Sequence, residues 1–263
     1  MKILAIGAHP ADCIDLAGGT LCKHAEAGDS VHIISVTDGL GIHGDYEEKI
    51  DASIKYFKCR NIKRLELDFA ARVLGIDTCM FLNKSDEPLL ESVNIIHGLA
   101  DAIRKVKPNI VLSHHPNEYS HWDHATCGKM VCRALKAATR FYDTDIKERW
   151  YVPAAYFYAV QFRPETERIG YVPQAPTVLV DIEDVIDKKI DAMAEFKSQG
   201  ITKEYMQERV KSFEGEMGRA DGLKYSEGFI SYYPQKTDLL PTNKPISFYT
   251  KKEETYDRRK DQN

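Results

Sequence analysis

The chain has 263 residues, of which 43% are hydrophobic and 29% are charged, with a formal net charge of -4 at pH 7. This composition supplies a sizeable core, and it excludes the basic surface with which proteins bind nucleic acid or an anionic membrane. No apolar run approaches the ~20 residues of a membrane span, and the N-terminal apolar run is too short for a signal peptide. The six cysteines contain no Cys-x-x-Cys pair, which is typical of reduced thiols. We therefore expect a cytoplasmic protein, either a monomer or a homo-oligomer, without a nucleic-acid or membrane partner.

Short apolar runs alternate along the chain with segments that have helical periodicity. Strands are predicted at 2–9, 31–37, 79–83, 109–115, 154–160 and 177–182. Helices are predicted at 15–29, 62–76, 93–108, 125–140, 183–199 and 203–220. The helix over 62–76 is indicated by an apolar stripe at helical spacing, which consists of Ile62, Leu65, Phe69, Val73 and Ile76.

The alternation of continuously apolar strands with helices indicates an α/β fold, in which a mostly parallel sheet is covered by helices on both faces. The strands at 2–9, 31–37, 79–83 and 109–115 are expected to be neighbours in the sheet. Neither an internal repeat nor a linker rich in Pro, Gly or Ser divides the sequence. We therefore predict a single α/β domain over residues 1–249, followed by a charged C-terminal tail over residues 250–263.

Two polar segments follow predicted strands. "GAHPADCIDLAGGT" (7–20) follows the first strand, and "SHHPNEYSHWDHATCG" (113–128) follows the fourth. Ligands of such sheets bind beyond the carboxyl ends of the strands, so the two segments are expected to meet at one crevice. The first segment is not a phosphate-binding turn, because it lacks both a Gly-x-Gly-x-x-Gly pattern and a P-loop lysine. Its Gly18 and Gly19 lie within the predicted helix, where they favour close packing.

The histidines and aspartates of these segments favour a metal site. His9 and Asp12 belong to the first segment, and the second contributes His121, Asp123 and His124. Two histidines and one carboxylate around an open position form a common set of catalytic zinc ligands. In the alternative interpretation, both aspartates are helix N-caps and the histidines are ordinary surface residues. The convergence of two such groups at two strand ends favours the metal site.

Longer stretches carry a family resemblance. "AHPADCIDLAGGTLCKHAEAGDSVHIISVTDG" resembles the opening of the PIG-L/LmbE superfamily of zinc-dependent N-deacetylases, whose usual signature is Ala-His-Pro-Asp-Asp-Glu. "RLELDFAARVLGI", "FLNKSDEPL" and "HWDH" resemble the second helix, the Phe-Leu-x-x-x-Asp segment and the His-Pro-Asp-His motif of that family. The resemblance is strong over residues 1–130. It implies a Rossmann-like, LmbE-like fold with one zinc ion per chain.

The resemblance also implies roles for residues of the two motifs. His9, Asp12 and His124 match the zinc ligands of the family. His121 matches the histidine that stabilises the oxyanion or donates a proton. Asp123 matches an aspartate that supports the histidine pair.

Further residues are expected around the substrate pocket. Arg64, Glu66 and Asp86 match positions that line or brace the pocket, and each is alternatively a salt-bridged structural residue. Glu118 and Tyr119 lie on the loop that leads into the HWDH motif, where they can face the pocket.

One position departs from the family pattern in a way that bears on catalysis. Ala11 replaces the aspartate that serves the family as general base, and alanine cannot accept a proton. Cys13 replaces the usual glutamate, and we expect it to be a small buried hydrophobe rather than a metal ligand.

If the chain is still a hydrolase, another group serves as the base. The loop "DGLGIHGDYEEKID" (38–51) follows the second strand and is expected to overhang the crevice, which makes His43, Asp45, Glu47 and Glu48 the candidates. A metal-dependent deacylase of a small N-acyl substrate, such as an N-acetylglucosamine derivative, ranks first on this reasoning.

Two other functions remain open. The chain resembles a divergent branch of the superfamily that includes 4-oxalomesaconate hydratase, which also carries alanine at this position and adds water to an unsaturated keto diacid. "VLVDIEDVIDKKIDAM" and "YSEGF" strengthen that resemblance; Arg64 and His43 would then bind the carboxylates of the substrate. The third possibility is a metal-binding pseudoenzyme. Ala11 can also be an engineered substitution that traps substrate.

Overall fold

The computed structural model describes residues 1–41, 52–141, 145, 148–159, 174–240 and 242, and it omits the side chains of 52–55. The C-terminal tail predicted over 250–263 lies outside these residues. So do the candidate loop bases and substrate ligands, which are His43, Asp45, Glu47 and Glu48.

The described strands form one mixed sheet. They are β1 (Lys2–Gly7), β2 (Ser30–Thr37), β3 (Thr78–Lys84), β4 (Ile110–Ser113), β5 (Ala154–Tyr158), β6 (Val178–Asp181) and β7 (Ser226–Ser231). Their spatial order is β3-β2-β1-β4-β5-β7-β6. Strands β1 to β5 pair in parallel, whereas β7 is antiparallel to both β5 and β6. The chain therefore changes direction across the sheet between β1 and β4, and a crevice opens at such a switch point beyond the carboxyl ends of the strands.

Helices cover both faces of the sheet. They are α1 (Asp12–Glu26), α2 (Ala52–Val73), α3 (Val93–Val106), α4 (Trp122–Ala137), α5 (Ile186–Met193) and α6 (Lys203–Arg219). One buried cluster joins the sheet to α1, α2, α5 and α6. The other joins the opposite face to α3 and α4. The predicted α/β fold is confirmed, and the four strands expected to be neighbours are adjacent in the order β3-β2-β1-β4.

The apolar stripe that indicated the second helix does not form its buried face. Leu65, Phe69 and Val73 are 55%, 47% and 38% exposed, whereas Leu67 and Leu74 are buried in the core. The helix also begins at Ala52, ten residues before the predicted segment. Apolar side chains lie on two sides of α2, so periodicity alone does not show which side the sheet covers.

The C-terminal part of the fold was predicted less well. The helix predicted over 183–199 is interrupted: short 3-10 turns at Glu183–Val185 and Lys197–Gln199 flank the eight-residue α5. Strand β7 was not predicted, because its sequence "SEGFIS" contains a glutamate and a glycine. Glu227 is nevertheless buried, since it forms an ion pair with the buried Lys189.

The glycine pair of α1 does permit close packing. A side-chain carbon placed on Gly19 would lie 2.8 Å from Ile182, which follows β6. A larger residue at position 19 would therefore separate α1 from the end of the sheet.

All six cysteines are free thiols, as predicted. Cys13 is buried and its sulfur accepts a hydrogen bond from the hydroxyl of Tyr158 at 3.5 Å, so its environment is that of a core residue. In the part of the chain that the structure describes, no helix combines the length and apolar character that crossing a membrane requires.

Candidate metal centre

The turns after β1 and β4 bring the two polar segments together. His9 lies two residues beyond β1, and Asp12 is the first residue of α1. The backbone N–H of His9 donates to Asp12 Oδ2 at 2.7 Å, which folds this turn tightly. His114 directly follows β4, and the HWDH motif opens α4. The crevice predicted from sequence is therefore lined by imidazoles and carboxylates.

Glu118 and Asp12 lie on opposite sides of two stacked histidine rings. The rings of His114 and His124 have centroids 3.9 Å apart. Nδ1 of His124 lies 2.8 Å from Glu118 Oε1, and Nδ1 of His114 lies 3.4 Å from Glu118 Oε2. The Nε2 atoms of His124 and His114 lie 3.5 and 2.9 Å from the carboxylate oxygens of Asp12.

A second group closes the other side of the crevice. His9 Nε2 lies 3.2 Å from Asp123 Oδ2, and its ring is 4.8 Å from that of His121. The backbone N–H groups of Glu87 and Leu89 donate to Asp123 at 2.9 and 2.7 Å. Asp123 therefore ties His9 to the segment after β3, which is consistent with the supporting role that the family resemblance implies.

The two aspartates do not cap helices, so that part of the alternative interpretation is wrong. The N-cap position of α1 is Ala11, and the Asp12 carboxylate turns back to His9. At α4 the cap is His121, whose Nδ1 accepts the N–H of Asp123 at 3.3 Å.

The electrostatics of the cluster favour bound cations. Burial acts to raise the pKa of Asp12, but the three histidines around it hold that pKa well below its usual value. Burial acts to lower the pKa of His124, yet Asp12 and Glu118 raise it to about 10. The pKa of His9 is raised to about 9, because Asp12 and Asp123 outweigh its burial. These carboxylates therefore stabilise positive charge, which a metal ion can supply in place of protons.

His121 differs from its two neighbours. Burial, together with the charges of His124 and His9, lowers its pKa to about 4. Its Nε2 faces the mouth of the crevice, 3.7 Å from Glu87 Oε1.

The donor atoms suit a divalent metal ion. Ligand atoms lie within 4.8 Å of one another in two groups, which are His9, His121 and His124, and Asp12, His114 and His124. The set implied by resemblance, His9, Asp12 and His124, draws on both groups. Imidazole nitrogens with one carboxylate are the donors that zinc prefers at catalytic sites.

An open depression of about 600 Å³ adjoins this cluster. It is lined by Glu87, Pro88, Ser120, His121, Trp122 and Asp123. The indole of Trp122 is 80% exposed at its rim. A small substrate in this depression would contact His121 directly.

The other residues that were expected at the pocket have different surroundings in the structure. Arg64 Nη2 lies 3.7 Å from Asp38, which follows β2 at the same edge of the sheet. Asp86 accepts the backbone N–H of Gly41 at 2.7 Å, and Tyr119 is half exposed. Glu66 accepts hydrogen bonds from the N–H and hydroxyl of Ser198, so it braces α2 as a structural residue.

Glu118 and His114 are more central than the sequence suggested. Glu118 was expected only to face the pocket, and His114 was not singled out, although it lies in the "SHHP" segment. The sequence feature that could have identified His114 is its position directly after a buried strand that ends at the crevice.

Comparison with known proteins identifies the family. Residues 4–135, about half of the chain, match the family model described as PIG-L, GlcNAc-PI de-N-acetylase. The match includes both histidine motifs. The chain belongs to the PIG-L family.

Relatives within and around the PIG-L family catalyse two kinds of reaction. 4-Oxalomesaconate hydratase of Pseudomonas putida is 28% identical, over 90% of this chain and 91% of its own. Diacetylchitobiose deacetylase of Thermococcus kodakarensis is 27% identical, over 89% of this chain and 83% of its own. The crystal structure of 4-carboxy-2-hydroxymuconate hydratase from P. putida matches with a TM-score of 0.74 and 26% identity, over 91% of this chain and 99% of that one. These relatives are enzymes, and the fold is that of the LmbE-like proteins.

Proposed function

We propose that the chain is a metal-dependent hydratase, which adds water to a carbon–carbon double bond of a small unsaturated keto acid. The observation that carries the proposal is Ala11, which stands next to the metal ligand Asp12 and offers only a methyl group. An anionic substrate benefits from the missing carboxylate, because an aspartate there would repel it.

Two of the carboxylates nearby, Asp123 and Glu118, are poorly placed to replace the missing base. Among the described residues of the crevice, Asp123 accepts two backbone N–H groups. Glu118 is held by His124 and by the hydroxyl of Ser120 at 2.5 Å. Amide hydrolysis without general-base assistance loses typically ~10²–10⁴-fold in rate, which argues against deacetylation as the main reaction.

Hydration makes demands that this site can meet. The hydroxyl of water adds to one alkene carbon and a proton adds to the other, and no group leaves. A divalent ion held by His9, Asp12 and His124 would supply Lewis acidity toward a keto or carboxylate oxygen. His121 lines the depression with Glu87 3.7 Å from its Nε2, so this pair can move the proton. The guanidinium of Arg64 is the candidate partner for a substrate carboxylate.

Similarity over nearly full length supports the same reaction. The P. putida hydratase aligns across both chains, beyond the half that the family model covers. An enzyme for 4-oxalomesaconate or a related unsaturated keto diacid is therefore the specific form of the proposal.

Deacetylation of an N-acetyl sugar is the second candidate. Water would cleave the amide C–N bond, releasing acetate while the nitrogen takes a proton. The exposed indole of Trp122 favours this reaction, because aromatic faces form platforms for apolar sugar faces. The deacetylase of T. kodakarensis is nearly as similar as the hydratase.

Ala11→Asp tests the two reactions against each other, with Ala11→Asn as an uncharged control of the same shape. Hydration of 4-oxalomesaconate is followed by the loss of conjugated absorbance, and deacetylation of diacetylchitobiose by acetate release. We expect hydration by the wild type, a marked decrease in Ala11→Asp and a smaller one in Ala11→Asn. Deacetylation that rises by ~10²–10⁴-fold in Ala11→Asp, without hydration in the wild type, would refute the proposal.

A further inference from the structure

Glu118 contacts both stacked histidines through the same kind of atom. Its two carboxylate oxygens face Nδ1 of His124 at 2.8 Å and Nδ1 of His114 at 3.4 Å. The Glu118 side chain is only 9% exposed, and the ring of His114 is fully buried. Neither contact belongs to the family motifs, because Glu118 lies on the loop before HWDH.

The contact with His124 determines which of its ring nitrogens carries a proton. An ionised carboxylate only accepts hydrogen bonds, so Nδ1 of His124 must be the donor at 2.8 Å, whereas Nδ1 of His114, at 3.4 Å, forms no hydrogen bond within the described residues. In a neutral imidazole the other nitrogen, Nε2, then keeps its lone pair. Nε2 of His114 differs, because it already accepts the backbone N–H of Ala8 at 3.1 Å.

The selected tautomer directs the electron pair of His124 Nε2 at Asp12. This nitrogen lies 3.5 Å from Oδ1 of the Asp12 carboxylate. Acceptor atoms that converge in this way repel one another unless a cation lies among them. None of the contacts found for Asp12 or Glu118 within the described residues involves a lysine or arginine.

We propose that Glu118 is a positioning residue for the metal ion. It holds the Nδ1 proton of His124, and it thereby keeps Nε2 of that ring directed at Asp12 as a ligand for a divalent cation. Carboxylates that orient metal-binding histidines typically contribute 10–100-fold to metal affinity. The inference depends on the metal dependence in the proposed function, and it is independent of the reaction catalysed.

The test compares Glu118→Ala, Glu118→Gln and Glu118→Asp with the wild type. Glu91→Gln is the matched control, because Glu91 forms an ion pair with Arg133 on the surface. The dissociation constant for Zn²⁺ is measured by competition with a chelator, and the site geometry by the absorption spectrum of bound Co²⁺. Urea unfolding of the metal-free proteins reports stability separately.

We expect Zn²⁺ to bind ~10–100-fold more weakly to Glu118→Ala, with an altered Co²⁺ spectrum. Glu118→Gln keeps one uncharged amide oxygen as an acceptor for Nδ1–H of His124 and should be intermediate. Glu118→Asp should restore part of the affinity, and Glu91→Gln should match the wild type. An unchanged dissociation constant and spectrum in Glu118→Gln and Glu118→Ala, with only lower stability, would overturn the inference. A wild type that binds no divalent metal would instead refute the metal dependence itself.

Discussion

Two clusters of buried charge in this protein differ in the kind of cation that faces their carboxylates. Beneath β7, Nζ of the fully buried Lys189 lies 2.6 Å from Glu214 and 2.7 Å from Glu227. Glu227 also accepts the backbone N–H groups of Gly19 and Thr20 at 2.9 and 2.7 Å. The charges of this cluster are balanced by other groups of the chain.

Among the described residues, the cations at the crevice cluster are histidines. Asp12, Glu118 and Asp123 contact histidines, backbone groups and the hydroxyl of Ser120 there. A histidine can exchange its proton for a metal ion, whereas a buried lysine between two carboxylates keeps its charge. A fixed cation thus marks a structural cluster, and an exchangeable one marks a site that can take a ligand.

Loss of a metal ligand should produce the largest effect. In His124→Ala, the bound metal should fall from one ion per chain to almost none, and activity should fall with it, because this residue belongs to both groups of converging ligand atoms. Elemental analysis after gel filtration measures the metal. The control is His24→Ala, which removes a histidine paired with Asp29 away from the crevice. Full metal content in His124→Ala would break the distinction between the two clusters.

Removal of the fixed cation should damage the fold instead. Lys189→Ala leaves Glu214 and Glu227 buried without their partner, and breaking such a pair typically costs ~3–5 kcal/mol in free energy of unfolding. Urea denaturation measures this loss. Lys188→Ala on the same helix is the control, since Lys188 is exposed and pairs with Glu26 on the surface. Equal stability of the two variants would show that the cluster beneath β7 is not structural.

A third buried charge belongs to Lys63 on α2. Lys63 is 3% exposed, and burial lowers its pKa to about 8, partly offset by Glu66 and Asp86. Its pKa is therefore lower in the folded than in the unfolded state. Between pH 8 and the unfolded value near 10.5 the unfolded chain binds more protons, so stability should rise with pH in this window.

Lys63→Met should remove that pH dependence. At pH 7 the variant should be more stable than the wild type by on the order of 1–3 kcal/mol, and the difference should shrink toward pH 10. Urea denaturation at several pH values measures it. A constant difference across this range would mean that Lys63 keeps its proton when folded.

The sequence predicted the half of the molecule in which local pattern and topology agree. Parallel strands separated by helices place the ends of β1 and β4 side by side, which is why His9, Asp12, His121 and His124 were expected at one crevice. Their roles remain predictions. The spacing of Leu65 and Phe69 indicated a helix but not its buried face, because periodicity does not show which side of an apolar helix is covered.

The remaining differences arise from charges whose partners are distant in sequence. Glu227 interrupts the apolar pattern of β7, and only the buried Lys189 explains its place in the core. His114 was not singled out in the sequence, and only the fold brings it against Asp12. Such pairings are set by tertiary contacts, which local pattern does not contain.

The contact between Glu227 and α1 has a consequence for the order in which the protein is made. A ribosome has synthesised every residue proposed to bind the metal once it passes His124. The carboxylate that holds Gly19 and Thr20, on the helix that begins with Asp12, lies 207 residues after Thr20. The nascent chain therefore contains all the proposed metal ligands well before Glu227 is available to hold α1, the helix that positions Asp12. Full metal affinity should therefore appear only after Glu227 has left the ribosome and reached α1.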